Sequence, residues 1–265
     1  MPLTLNFILV ILSLVCPVLV YITLLSQPPG IHWGSAAAAF GLVFFYTLYV
    51  WACYRKRLMR ILLDECDPER FIWYCRRTAE YPLASQYGQA VNQTRLLYAM
   101  GLKEAGRFEE AAGMLSSVKS LPKSPKGELS EIIRRCQKAE LLMRFNDKEK
   151  AREDYEPVKQ KAESLAVRKP RWRSMLNDIT DEYDNMLNAA DGNDDRAKLY
   201  YKSKFDSAKN AYSRVSAKYN LGLLYARCGQ TDKAIKALQY TADNANKLYI
   251  AEEAKRLLAE LSQSV

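Results

Sequence analysis

The sequence predicts an all-α protein: a transmembrane helical hairpin followed by a long array of antiparallel helix pairs. Three observations predict it. All 39 basic and 30 acidic residues lie within residues 55–265, so the first 54 residues carry no Lys, Arg, Asp or Glu. Beyond residue 55, apolar residues recur at helical spacing, and no strand-type alternation survives more than about five residues. A short pattern of small and large residues also returns along the chain with a period of about 40, the mark of a repeat architecture.

The hairpin comes first. Leu3 to Leu25 is an apolar run interrupted only by small or weakly polar residues such as Asn6, Ser13 and Pro17. About 20 such residues span a bilayer. A second run extends from Trp33 to Tyr54, and the intervening SQPPGIHWGS carries Pro28, Pro29 and Gly30, which cannot continue a helix. Residues 1–54 are therefore expected to form two spans joined by a short external loop at about residues 26–35. Arg55, Lys56, Arg57 and Arg60 follow the second span. Positive charge flanking a span stays on the cytoplasmic side, which predicts a two-pass plasma-membrane protein with both termini and the large domain cytoplasmic. The same four cations can also meet anionic lipids of the bilayer surface, at about 1 kcal/mol each.

A cleaved signal peptide is disfavoured because a basic n-region is absent. A lipoprotein reading fails on bulky Val15 before Cys16. Gly34, Ser35, Ala36 to Ala39 and Gly41 form a small-residue stretch that lets helices approach closely, either within the hairpin or between copies in a homo-oligomer. Neither span contains a Lys, Arg, His, Asp or Glu side chain, which fits an anchor rather than a transport path.

Residues 55–89 form a basic juxtamembrane segment with linking helices. Leu58, Ile61, Leu62, Phe71, Ile72 and Cys75 recur at helical spacing, and Asp67-Pro68 supplies a cap with a first-turn proline. Further on, breaks bearing proline or glycine occur at PLASQYG, SLPKSPKGE and AADGNDD.

The repeat domain covers residues 90–265. Its clearest unit is YNLGLLYARCGQTDKAIKAL, residues 219–238, in which Leu221, Gly222 and Tyr225 share one helix, Gly229 ends it, and Ala234 and Leu238 open the next. A second, LLYAMGLKEAGRFEEAAGML, places Ala99, Leu102, Gly106, Phe108, Ala111 and Leu115 at the same spacing. A third, KAELLMRFNDKEKAREDY, keeps Ala139, Leu142, Ala151 and Tyr155, with Asn146 in the glycine position. These units resemble the tetratricopeptide repeat, whose small residues let paired helices approach and whose repeats stack into an α-solenoid. Two departures stand out: Lys218 replaces a favoured large aromatic, and Asn246 replaces the usual terminal proline. The period is also longer than the family's, about 34 residues. A divergent pair is expected over residues 172–190 and 194–213, and the amphipathic tail AEEAKRLLAELSQ serves as a cap.

The resemblance implies a concave face lined by the first helix of each pair, used by family members to hold extended or C-terminal peptides. Tyr219, Asn220, Leu223 and Arg227 line it in the last unit, with Lys103 and Arg144 at matching positions earlier. The family's familiar carboxylate clamp is not reproduced, since Tyr219 and Leu223 stand where it uses Lys and Asn.

Other chemistry is sparse. The six cysteines show no C-x-x-C pair and read as reduced thiols, and the single histidine, His32, lies far from them, so neither a metal site nor another cofactor is expected. No G-x-S-x-G, phosphate-binding glycine loop or H-E-x-x-H occurs. Acidic pairs such as Glu109-Glu110 and Asp194-Asp195 sit at helix starts, where carboxylates favour the dipole. A basic run around Trp172 (Arg168, Lys169, Arg171, Arg173) is weak grounds for nucleic acid. The expectation is a non-enzymatic membrane-anchored scaffold binding partner proteins or peptide segments. The competing readings are a lipid- or nucleic-acid-binding module, and an enzyme with a helical active site of unrecognised type.

Overall fold

The computed structural model describes residues 33–80, 88–118 and 123–263. The first expected span and His32 lie outside the described residues. Among the described residues all regular structure is helical, and no helix is long and apolar enough to cross a membrane. The chain divides into two compact units, one ending at Leu58 and one running from Met59 to Val265. In the first unit, α1 (Trp33–Leu63) begins where the second apolar run begins and extends into the second unit.

The second unit is a succession of helices: α2 (Pro68–Glu80), α3 (Gly88–Glu104), α4 (Phe108–Ser116), α5 (Pro125–Arg144), α6 (Lys148–Arg168), α7 (Arg173–Ala190), α8 (Asp194–Ser207), α9 (Ala211–Arg227), α10 (Thr231–Asn244) and α11 (Tyr249–Gln263). Each helix packs on its neighbour in sequence, and α3, α5, α7, α9 and α11 form a second set in which α3 meets α5, α5 meets α7 and α9 meets α11. That is the contact pattern of stacked helix pairs.

Local chemistry sets the boundaries. Asp67 caps α2, its Oδ1 accepting from the Arg70 N–H at 3.0 Å with Pro68 in the first turn. Ser124, Asp147 and Asn210 cap α5, α6 and α9 in the same way. The turns within pairs are copies of one another. Gly106, Asn146, Gly192 and Gly229 all adopt left-handed φ, between 61° and 84°. In each turn the following residue donates its N–H to a carbonyl in the helix just ended, at 2.8–2.9 Å, and the next helix starts one residue later. Asn146 meets the glycine requirement because its short amide tolerates this region.

Beyond each turn stands a buried alanine: Ala111, Ala151, Ala197 and Ala234, none more than 1% exposed. Gly222 on α9 brings α10 close, since a Cβ there would lie 2.7 Å from Leu238 side-chain carbons. The core is continuous in type but divided among pairs, with Leu96, Leu102 and Leu115 in one cluster, Ile132, Tyr155 and Leu165 in another, and Tyr201, Leu221 and Leu224 in a third.

Two further residues take left-handed φ, Cys66 and Asn246, each at 49°. They lie in the turns before α2 and before α11, and these turns bond to each other. The Lys247 N–H donates to the Cys66 carbonyl at 3.2 Å, the Asn246 amide donates to the Glu65 carbonyl at 2.7 Å, and the Lys247 ammonium pairs with Asp67 at 2.7 Å. The last turn of the array is thereby joined to its first, some 180 residues earlier.

Candidate functional site

The five helices of the inner set bring their polar side chains to one cluster. Lys103 and Glu104 end α3, Glu140 and Arg144 lie one turn apart on α5, and phenols arrive from Tyr183 on α7, Tyr212 and Tyr219 on α9 and Tyr249 on α11. The Lys103 ammonium lies 2.6 Å from a Glu140 oxygen and 3.0 Å from Glu104. The Tyr212 hydroxyl donates to Glu104 at 2.8 Å, and the Tyr183 hydroxyl donates to Glu140 at 3.3 Å. The Arg144 guanidinium donates to the Tyr249 hydroxyl and lies 5.1 Å from that ring's centroid and 5.9 Å from that of Phe108. Phe108 and Tyr249 meet edge to face at 5.1 Å.

Two cations thus balance two carboxylates in a place with little water. Lys103 and Glu104 are only 8% and 3% exposed, which makes the pairing obligatory, because an isolated buried charge is costly. Burial alone would drive the Lys103 pKa down, but the charges of Glu104 and Glu140 outweigh it and hold the ammonium above its ordinary range. The two carboxylates diverge. Burial and the Glu140 charge raise Glu104 despite Lys103, whereas Lys103 and Arg144 overcome burial to lower Glu140. Burial, joined by the nearby carboxylates, pushes the Tyr183 and Tyr212 phenols far above their usual range, so both remain hydrogen-bond donors at neutral pH.

A carboxyl with a raised pKa beside a lysine has the chemistry of a general acid, but Glu104 and Lys103 are shut off from solvent and a substrate could not reach them. Arg144 is different. It is exposed, at the edge of the cluster, with its guanidinium among the aromatic side chains of Phe108 and Tyr249. Among the described residues it forms no ion pair, and a guanidinium fork is the group that pairs bidentately with carboxylates.

Of the residues expected to line the concave face, three meet here: Lys103, Arg144 and Tyr219, the last only 2% exposed and near enough to Arg144 to accept a hydrogen bond. The other three do not join them. The Asn220 amide donates to the Ser216 carbonyl of its own helix at 2.9 Å, Leu223 is half-buried, and Arg227 forms an ion pair with Asp194. Arg55, Lys56, Arg57 and Arg60 are all exposed on α1. In the basic run around Trp172, Arg168 pairs with Glu128 of α5 at 2.6 Å and Arg171 lies 5.0 Å from the Trp172 centroid.

Sequence reasoning missed Glu104, Glu140, Tyr183, Tyr212 and Tyr249. The available signal was the placing of Tyr98, Tyr183, Tyr212, Tyr219 and Tyr225 on the first helix of a pair. Comparison with family models, curated proteins and solved structures finds no match to the chain.

Proposed function

We propose that this protein is a membrane-anchored scaffold whose helix-pair array, a solenoid of tetratricopeptide type, holds a segment of a partner protein. In this reading the apolar runs Leu3–Leu25 and Trp33–Tyr54 form the anchor, and Arg55, Lys56, Arg57 and Arg60 keep the array on the cytoplasmic side. The four copied turns and their buried alanines support the repeat assignment. Anchoring confines the array to the bilayer surface and so raises its effective concentration toward membrane partners.

The single observation that carries the binding role is Arg144. Arg144 is an exposed residue whose guanidinium is held by the Tyr249 and Tyr219 phenols and forms no ion pair among the described residues, so a partner carboxylate meets a pre-oriented donor rather than a competing ion pair. The partner segment is accordingly acidic or ends in a free carboxylate.

The test is a pull-down with the full chain in mild detergent, comparing wild type with Arg144→Gln and with Arg227→Gln as a control outside the cluster. A specific partner should survive Arg227→Gln and weaken about tenfold with Arg144→Gln. An amidated competitor peptide should displace it less well than the free acid. A partner indifferent to Arg144 sinks the assignment. The Phe108→Leu variant, which keeps the charge and alters only its aromatic setting, should give an intermediate loss.

A further inference from the structure

A cavity of about 350 Å³ lies between α8, α9 and α10, apart from the inner cluster. Its floor is apolar, formed by the buried Leu221 and Ala237, and aromatic rings of Phe205 and Tyr225 stand at its sides. Lys202, Lys218, Lys233 and Lys236 line it, against one carboxylate, Asp206.

What sets these lysines apart is the company they keep. Nearby lysines are neutralised, Lys198 by Asp195 at 2.8 Å and Lys204 by Glu182 at 2.6 Å. Among the described residues none of the four cavity lysines forms an ion pair. Lys233 reaches only the Gln230 amide oxygen, at 3.2 Å, and lies 5.8 Å from the Tyr225 centroid. Lys218, half-buried, lies 4.1 Å from the Phe205 centroid and 5.8 Å from that of Tyr240, and those two rings pack edge to face. Ring faces hold its ammonium in place without cancelling its charge. Lys218 is also the residue that departs from the tetratricopeptide pattern, where a large aromatic is favoured. The departure puts a positioned cation into the cavity.

We propose that this cavity binds a small ligand carrying two phosphomonoesters on a carbon ring. Four ammonium groups less one carboxylate leave a surplus of three positive charges. Two phosphomonoesters carry about −3 to −4 at neutral pH. Lysine suits phosphate as a point charge, and the half-buried Tyr225 ring, above the apolar floor, offers a face on which a carbon ring can stack. The volume fits a small metabolite or a lipid headgroup of the same chemistry, and excludes a folded partner.

The probe is inositol bisphosphate, titrated calorimetrically into the full chain held in phosphatidylcholine nanodiscs. Saturable binding is expected, weakened about tenfold by Lys218→Gln and by the mouth variant Lys236→Gln, which is exposed and leaves packing intact. Lys255→Gln on α11, paired with Glu252 far along the sequence, should leave affinity unchanged. In nanodiscs doped with a phosphoinositide of the same headgroup, a drop in apparent affinity for the free probe assigns the site to lipid. An unchanged affinity assigns it to a soluble phosphate ester. No saturable binding, equal loss in Lys255→Gln, or tighter binding of polyglutamate or an oligonucleotide than of the probe overturns the proposal.

Discussion

Replacing Lys103 with methionine tests the inner cluster where it is most constrained. The substitution keeps an unbranched apolar stem one atom shorter and removes the cation shared by Glu104 and Glu140. Glu140 retains the neighbouring charge of Arg144, so the orphaned carboxylate is Glu104, 3% exposed. The folded variant escapes the cost of that buried charge by binding a proton at Glu104, and protonation above the ordinary glutamate pKa costs about 1.36 kcal/mol per pH unit. The loss of stability is therefore limited to about 3.5 kcal/mol at pH 7 and about 1.5 kcal/mol at pH 5.5.

The sign follows from Glu104, whose folded pKa lies above the unfolded value and rises further without Lys103, so the variant recovers stability as pH falls. For a unit of this size the losses correspond to about 7–14 °C in Tm at pH 7 and about 3–6 °C at pH 5.5. The assay is thermal melting of the full chain in detergent, followed by far-UV circular dichroism at both pH values, each variant against wild type. Adding Glu104→Gln, which still accepts from Tyr212, should restore most of the loss and remove the pH dependence. A Lys103→Met shift below about 2 °C, or one equal at both pH values, would refute the reasoning.

Other consequences are as direct. Gly222→Ala drives a Cβ to 2.7 Å from the fully buried Leu238 and should cost about 1–3 kcal/mol despite the better helix propensity of alanine, read by urea unfolding. Asn246→Ala removes the amide bond to the Glu65 carbonyl and places a side chain without local hydrogen bonding at positive φ; about 1–2 kcal/mol should be lost, with faster amide exchange in residues 64–67 and 245–248. Burial pushes the thiols of Cys66, Cys75 and Cys136 up to about 11, 12 and 12, so a water-soluble maleimide should leave all three unmodified at neutral pH until denaturant is added, as read by mass spectrometry.

Much of the fold was legible because its determinants are local. Gly106 and Gly229 announce left-handed turns, Asn146 substitutes for glycine by known chemistry, and the alanines at 111, 151 and 234 mark where the next helix packs. The pair α7–α8 was placed only loosely, because its turn glycine Gly192 sits in a polar run without a GRFEEA-like match. The inner cluster was not legible. Apart from the adjacent Lys103 and Glu104, its partners are 37 to 108 residues apart, and a tyrosine on a helix reads the same whether its hydroxyl meets a carboxylate or water. The expected groove residues were chosen by position in the repeat, and three of them, Lys103, Arg144 and Tyr219, meet in the inner cluster. Position cannot reveal that Arg227 is taken by Asp194.

The two departures from the repeat pattern carried more information than the matches. Lys218 and Asn246 look like degeneracy in the sequence, yet one supplies the cation among the rings of the α8–α10 cavity and the other ties the last turn to the first.

That tie, between the turn before α2 and the turn before α11, is the claim on which the meeting of the two ends of the array depends. Zero-length carbodiimide coupling joins an amine to a carboxylate only when they are already in contact, and Lys247 and Asp67 lie 2.7 Å apart across the tie. Coupling of the intact chain followed by peptide mass spectrometry should give an intramolecular Asp67–Lys247 link alongside local ones such as Asp147–Lys150. Recovery of the local links with no Asp67–Lys247 product would mean that the two turns do not meet, and would contradict the account.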